Sequence, residues 1–163
     1  MNKKIIVIGS PGSGKSYFSK KLAKLLNIPV YHMDNIYWRE DKTHISREEL
    51  VHSIDDIMNK EQWIIDGNYF STMEQRLKGA ETIVYLDFDT EQCVEGIKSR
   101  IRIKRDDMPW IEEEVDEEFL DFVTGFREKI GPQITNLLEQ YKDKEIIRFS
   151  SREEEERLLS EYF

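Results

Sequence analysis

The stretch GSPGSGKS, Gly9 to Ser16, constrains this chain more tightly than any other. It matches the pattern G-x-x-x-x-G-K-[ST], and its flanks are the ones that pattern needs. KIIVIG before it is a short, apolar, β-branched run ending in glycine, which reads as a strand buried on both faces. KSYFSKKLAKLLN after it spaces Phe18, Leu22 and Leu25 at helical intervals, with Asn27 and Pro29 as a stop. A strand, a glycine turn and a helix in that order point backbone N–H groups at phosphate oxygens, and the helix N-terminus adds partial positive charge. Gly9, Pro11, Gly12, Ser13, Gly14 and Lys15 therefore read as a phosphate-binding loop. Lys15 is placed to reach β- and γ-phosphates and Ser16 to offer its hydroxyl to Mg²⁺. ATP and Mg²⁺ are the expected cofactors.

Downstream, strands and helices alternate. PVYHM is a second strand. SREELVHSIDDIMNK opens with Ser46 and Glu49 as a capping box and keeps Leu50, Ile54 and Ile57 on one face. WIID, TIVYLDF and EIIRFS are three more strands. STMEQRLKG carries a second capping box, Ser71 with Glu74, and the closing helix a third, Ser151 with Glu154. A helix starts at Thr90, and two further helical pieces are split at Gly131–Pro132. This order implies an α/β three-layer sandwich: a five-stranded parallel sheet of P-loop kinase topology with helices on both faces and a small helical lid at roughly 98–115. The segment from Pro109 to Gly131 is the least sheet-like and is expected as a mobile flap. With 163 residues and 39% hydrophobic content, one domain spanning 1–163 is expected.

Charge narrows the function. The net charge is −9, whereas a protein that coats nucleic acid needs a basic face to neutralise phosphates. Direct nonspecific nucleic-acid binding is therefore not expected. Positive charge concentrates in KSRIRIKR, Lys98 to Arg105, and acid follows in IEEEVDEEFLDF. No run is long and apolar enough to span a membrane. Cys93 is the single cysteine, read as helix packing, and suits a reducing compartment. A cytoplasmic monomer or homodimer is expected.

The candidate site follows from where carboxylates sit on the strands. Asp66 ends WIID, and in this fold such a carboxylate holds Mg²⁺. Asp34 follows the second strand, at the carboxyl edge where open parallel sheets bind ligands. For a hydroxyl acceptor, Asp34 would orient or accept its proton. For a nucleotide phosphate acceptor, arginines would neutralise charge instead, with Arg39, Arg76 and Arg127 as candidates. Tyr37 and Trp38 are placed to stack on a planar base, and Tyr69 is a comparable aromatic. His32, which alternates with Val30, is expected to pack beside the sheet. Arg100, Arg102 and Arg105 would close over ATP as lid cations. Asn59–Lys60 is followed by Glu61–Gln62, which does not make the guanine-recognition motif of GTPases.

IGSPGSGKS, VYHMDNIYW, WIIDGNY and TIVYLDF together resemble the bacterial P-loop family of DNA topology modulation proteins (FlaR-related), which is similar to adenylate kinase. That resemblance implies a small kinase. Asp66, Gly67, Asn68 and Tyr69 look like the Asp-Gly stretch beside the acceptor of monophosphate kinases. Asp34 with Tyr37 and Trp38 is similar to the acceptor-orienting stretch of nucleoside kinases and to the acceptor aspartate of shikimate-type kinases. Monophosphate kinases commonly carry an Arg-x-x-x-Arg pair leading into the lid, where this chain has Gly96 and Arg100. They often have an arginine before the late proline, where it has Gly131. The expected activity is transfer of the γ-phosphoryl group of ATP to a small molecule, a nucleotide or nucleoside first. A non-nucleotide hydroxyl acceptor is the alternative, as is an ATP-binding regulator that influences DNA topology through a partner.

Overall fold

The computed structural model describes residues 2–162. Its elements run β1 (Lys4–Gly9), α1 (Lys15–Leu26), β2 (Val30–His32), α2 (Met33–Tyr37), α3 (Arg47–Met58), β3 (Trp63–Asp66), α4 (Phe70–Gly79), β4 (Thr82–Leu86), α5 (Thr90–Ser99), α6 (Glu117–Lys129), α7 (Gly131–Glu139), β5 (Glu145–Phe149) and α8 (Arg152–Tyr162). The five strands form one sheet in the order β2-β3-β1-β4-β5, and every neighbouring pair is parallel. This is the α/β sandwich of P-loop kinase topology.

Period-2 alternation divides the strand side chains between two apolar layers. Ile6, Ile8, Ile65 and Ile83 meet Leu50 and Ile54 of α3, Met73 and Leu77 of α4, and Ile134 of α7. Ile5, Val7, Ile64 and Val84 meet Phe18 and Leu22 of α1, Cys93 and Ile97 of α5, and Leu159 of α8. Covering both faces is what forces near-continuous apolar strands, and all residues of β3 and β4 are buried. Cys93 is 1% exposed and packs in the second layer, as its helical setting suggested. Among the described residues, no helix is long and apolar enough to cross a membrane.

Local chemistry accounts for several boundaries and corrects others. The Ser46–Glu49 box forms, with Glu49 N–H donating to Ser46 Oγ at 3.1 Å, and so does the Ser151 cap, at 3.2 Å from Glu154 N. The Ser71–Glu74 box does not. α4 starts two residues earlier than a Ser71 cap implies, at Phe70, behind a Tyr69 held in the left-handed region (φ 35°) with no side-chain cap. The second strand stops at His32, because Met33 buries its side chain while Trp38 N–H bonds back to Asp34 O at 3.0 Å to close the short helix α2. The second half of the expected flap is α6, which buries Val123 and Phe126 against the core and is not a flap. Between α5 and α6, residues 100–116 form a turn-rich strap with those two helices as its legs.

Candidate active site

The carboxyl ends of β1, β2 and β3 open into a cavity of about 680 Å³ lined by the phosphate loop, Asp34, Asp66–Phe70, the strap and one face of α6. Its floor is a cradle for anions. Gly12 and Gly14 take φ 83° and 89°, conformations that side chains rarely adopt. Gly14 caps α1 without a side-chain hydrogen bond, and the first turn of α1 holds no acid, so its N–H groups face the cavity without an internal anion. Lys15 Nζ is held 3.0 Å from both Gly9 O and Ser10 O. Burial lowers its pKa to about 8, despite the opposing charges of Asp66 and Asp34. A desolvated ammonium held by backbone carbonyls is a poised partner for phosphate oxygens.

The loop is pressed against α5. A Cβ built on Gly96 would sit 2.1 Å from Gly12 O, and one on Gly12 would sit 2.1 Å from Cys93 O. The helix and loop backbones leave no room for a side chain at Gly96, so the first arginine of the expected pair could not be held here. Gly96→Ala should therefore cost nucleotide affinity even though alanine is the better helix former by about 1 kcal/mol. A rise in the ATP KM of about tenfold or more, by displacement of Gly12, is the expected result of steady-state titration; an unchanged KM would show that the loop yields without harm.

Two carboxylates converge beyond Lys15. Asp66 is 4% exposed and its Oδ2 lies 2.6 Å from His32 Nδ1. Burial pulls the His32 pKa down, but the hydrogen bond and charge of Asp66 outweigh it and leave the imidazole above its usual value. His32 is thus a hydrogen-bond partner to the strand-end carboxylate and not inert packing. Asp34 accepts a hydrogen bond from the Tyr69 hydroxyl. Burial raises the Asp34 pKa against the opposing pulls of Tyr69 and Lys15. Burial, with the Asp34 charge beside it, pushes the Tyr69 phenol well above its ordinary value, so it stays a donor.

Arg76 organises this edge from below. It is 0% exposed and donates to Gly67 O at 2.7 Å, to Asn68 O, to Tyr69 O at 3.1 Å and to Thr72 Oγ1 at 3.2 Å. Burial lowers its guanidinium pKa to about 9, which leaves it cationic at neutral pH. Its donors are spent on the 67–69 backbone, so this arginine holds the loop and does not face the cavity. Asn68 in turn ties that loop to the phosphate loop, receiving Gly9 N–H at 3.1 Å and donating to Gly9 O at 2.7 Å.

The strap lies across the cavity mouth. Asp107 is 6% exposed and accepts from Ser16 Oγ at 2.9 Å. Asn35 donates to Asp106 O at 2.6 Å, and Trp110 packs edge-on to Trp38 with ring centroids 5.6 Å apart. Arg100 and Arg105 share Glu112, at 3.3 and 3.0 Å, and both line the cavity. Arg102 does not: it sits exposed in the left-handed region, its backbone N–H on Glu112 O at 2.6 Å.

The other candidates lie elsewhere. Tyr37 stacks on His44 (4.7 Å) and packs against Tyr69 (5.3 Å), so with Trp38 it buttresses the site from behind. Arg39 donates to Thr43 Oγ1 at 3.2 Å and His44 O at 3.0 Å, outside the cavity. Arg127 pairs with Asp87 at 3.5 Å in a separate groove. Asp107 and the His32–Asp66 pair were not legible in the sequence. Ser16 and Asp107 are 91 residues apart, and His32 meets Asp66 only through the β2–β3 register.

These donors fit ATP and Mg²⁺. Among the described residues no group of three or more histidine, cysteine or acidic side chains forms a closed metal cage. That suits Mg²⁺, which keeps its waters and binds through one or two protein oxygens plus substrate phosphates. Ser16 and Asp66 supply such oxygens beside the anion cradle.

Three comparisons bear on this geometry. A family model described as RNA helicase matches residues 5–73, less than half of the chain and confined to the stretch from β1 into α4. No match is found among curated proteins. Among solved structures, the chain is similar to shikimate kinase from Bacteroides thetaiotaomicron (TM-score 0.60, 18% identity, 97% of this chain and 94% of that one). It is also similar to shikimate kinase from Aquifex aeolicus (0.55, 20%, 97% and 92%), and to that from Acinetobacter baumannii in complex with shikimate (0.59, 16%, 99% and 93%). At these identities the likeness is one of fold: a P-loop kinase fold.

Proposed function

We propose that this chain is an ATP- and Mg²⁺-dependent phosphotransferase that moves the γ-phosphoryl group to a hydroxyl of a small molecule. The observation that carries this reading is the shared cavity of Lys15 and Asp34, with Asp34 held by the Tyr69 hydroxyl and kept partly desolvated. A phosphate acceptor needs no base, whereas a hydroxyl acceptor gains from one. The likeness in fold to shikimate kinases, whose names specify a hydroxyl-bearing substrate, supports the same choice. Transfer to a nucleotide phosphate, in the manner of adenylate kinase, is less well supported, because Arg76 and Arg127 are already committed.

In this mechanism Lys15 and the N–H groups of residues 12–16 hold the β- and γ-phosphate oxygens. Ser16 and Asp66 would hold Mg²⁺, which supplies charge neutralisation between those phosphates when bound. Asp34 orients the acceptor hydroxyl in line and takes its proton. The new bond joins that oxygen to the γ-phosphorus as the bond to the β–γ bridging oxygen breaks, and ADP leaves with the electron pair. Arg100 and Arg105 face the charge from the strap, which excludes water. His32 fixes the rotamer of Asp66, and Arg76 fixes the loop that carries Tyr69. Residues 1–163 would act as one catalytic unit, cytoplasmic, with 98–115 as its lid. Any effect on DNA topology would run through a partner, given the net charge of −9.

The pH profile tests the role of Asp34. A base must be ionised to accept a proton, so activity falls as pH drops through its pKa. Burial raises that pKa, which moves the acid limb of kcat/KM above the ordinary aspartate range. Tyr69→Phe removes a donor that favours the ionised form, and should move the limb further up. Asp34→Asn should abolish the limb and lower kcat by about 10²–10⁴-fold. Retention of wild-type turnover in Asp34→Asn would sink the hydroxyl reading.

A further inference from the structure

We infer that Asp107 of the strap is a ligand of the divalent cation, beside Ser16, so that strap closure and cation binding favour each other. This rests on the placement of Mg²⁺ at Ser16 and Asp66 proposed above and adds a third residue to it. The first observation is the spacing of two oxygens. Ser16 Oγ and Asp107 Oδ2 lie 2.9 Å apart. Oxygens bound to Mg²⁺ at about 2.0–2.1 Å in an octahedron lie about 2.9 Å apart at neighbouring corners. A hydroxyl rotates to turn a lone pair outward, so neither oxygen has to move for one cation to be held by both. The second observation is what the buried carboxylates leave open. Asp107 is 6% exposed and Asp66 is 4% exposed. Asp107 uses Oδ2 for Ser16 and Arg105, and Asp66 uses Oδ2 for His32. Among the described residues, Oδ1 of each accepts no hydrogen bond, yet both residues border the cavity. A buried carboxylate needs compensating charge. Among the described residues, the one ion-pair partner of Asp107 is Arg105, at 3.5 Å, and that guanidinium lies closer to Glu112, at 3.0 Å.

The third observation is that the strap seats this carboxylate by contacts of its own. Asn35 Nδ2 donates to Asp106 O at 2.6 Å, and Lys20 Nζ of α1 lies 3.9 Å from Asp106 Oδ2. Trp110 meets Trp38 edge-on at 5.6 Å, with Lys42 Nζ over the Trp110 ring at 5.8 Å. These contacts place residues 106–110 without help from the Ser16 hydroxyl, so Asp107 is presented to the phosphate loop in advance. Asp107 is also 91 residues from Ser16. Its oxygens reach the cation only when the strap is down. Cation affinity and strap closure are therefore linked, and each raises the other by the same factor.

The test measures Mn²⁺ affinity, by electron paramagnetic resonance of the free ion, for the full chain in complex with ADP. Loss of an outer-shell partner of a metal costs about 10–100-fold in affinity, so Asp107→Asn should weaken Mn²⁺ binding by at least about tenfold. Asparagine is isosteric and still accepts from Ser16 Oγ, so the strap should keep its seat; hydrogen exchange over residues 100–116 in the nucleotide-free chain checks this. Asp106→Asn removes the same charge from the exposed neighbouring position and should shift the affinity by less than about twofold. Asp107→Cys should raise the ratio of Cd²⁺ to Mn²⁺ affinity by about tenfold or more, because a thiolate favours soft ions. Addition of Mg²⁺ to the ADP complex should slow exchange over residues 100–116 in the wild type, and less so in Asp107→Asn. An Asp107→Asn affinity equal to that of Asp106→Asn overturns the inference. Tighter binding in Asp107→Asn overturns it too, and makes the carboxylate a latch that keeps the cation from Ser16. Ser16→Ala separates the two levels of the argument: if it weakens Mn²⁺ binding and Asp107→Asn does not, only this inference falls. If neither does, the placement of the metal at Ser16 falls with it.

Discussion

Lys15→Met should lower phosphoryl transfer to any acceptor by about 10²–10³-fold or more, the loss that follows removal of one preorganised donor to developing charge. Three features of the structure set the size of this effect. The ammonium is desolvated, with its pKa lowered to about 8, so its field is not diluted by water. It is positioned by Gly9 O and Ser10 O, so little reorganisation is needed at the moment of reaction. The other guanidinium groups near the loop are already paired: Arg152 of α8, beside Gly14, with Glu155, and Arg100 and Arg105 of the strap with Glu112. Methionine keeps the length of the side chain and removes a buried charge, so the fold should survive; circular dichroism and a melting curve separate lost chemistry from lost structure. A folded Lys15→Met protein with more than a tenth of wild-type turnover would refute the assignment of the loop as the site of transfer.

Arg76→Met should be the most destabilising single substitution of a residue outside the apolar layers. It orphans the carbonyls of Gly67 and Asn68, while Tyr69 O keeps the Thr72 N–H at 2.9 Å. At about 1–3 kcal/mol for each unsatisfied group, the loss is about 2–6 kcal/mol, against a total stability of about 5–15 kcal/mol for a domain. Urea unfolding should show it as a lower midpoint, with a melting temperature down by about 5 °C or more. Arg76→Lys should rescue little, because a single ammonium cannot match a planar fork that reaches several acceptors. The same variant should also raise the acceptor KM, since the loop it holds carries Tyr69 to Asp34. Normal stability in Arg76→Met would mean that water replaces the guanidinium at those carbonyls.

Arg76 also shows where reading along the chain fails. As a cation one helix after Asp66, it suggests a ligand for an acceptor phosphate. Only the fold reveals that its side chain turns inward and meets its own loop. The reason is that a guanidinium's partners are chosen by three-dimensional proximity, while sequence spacing constrains only neighbours on one helix face. Gly96 teaches the converse. Its departure from the arginine of relatives looks like a missing lid contact, and the structure replaces that loss with a steric cause at Gly12. Ser71 is a third case: the spacing to Glu74 is right for a cap, but Tyr69 takes the left-handed position and the helix begins ahead of it.

The sequence alone determined the glycine-rich turn into α1, the five strands, most helix starts and the places of Asp66 at the end of β3 and Asp34 just past the end of β2. Each is written in local periodicity or in glycine and capping chemistry, which act over a turn or a strand and leave their mark in adjacent residues. Tertiary structure decided what those marks cannot carry. The order β2-β3-β1-β4-β5 puts His32 against Asp66, the strap returns Asp107 to Ser16, and Arg76 turns onto the carbonyls of its own loop. These outcomes depend on which faces must be buried together, a condition on the whole chain that no short window of residues contains.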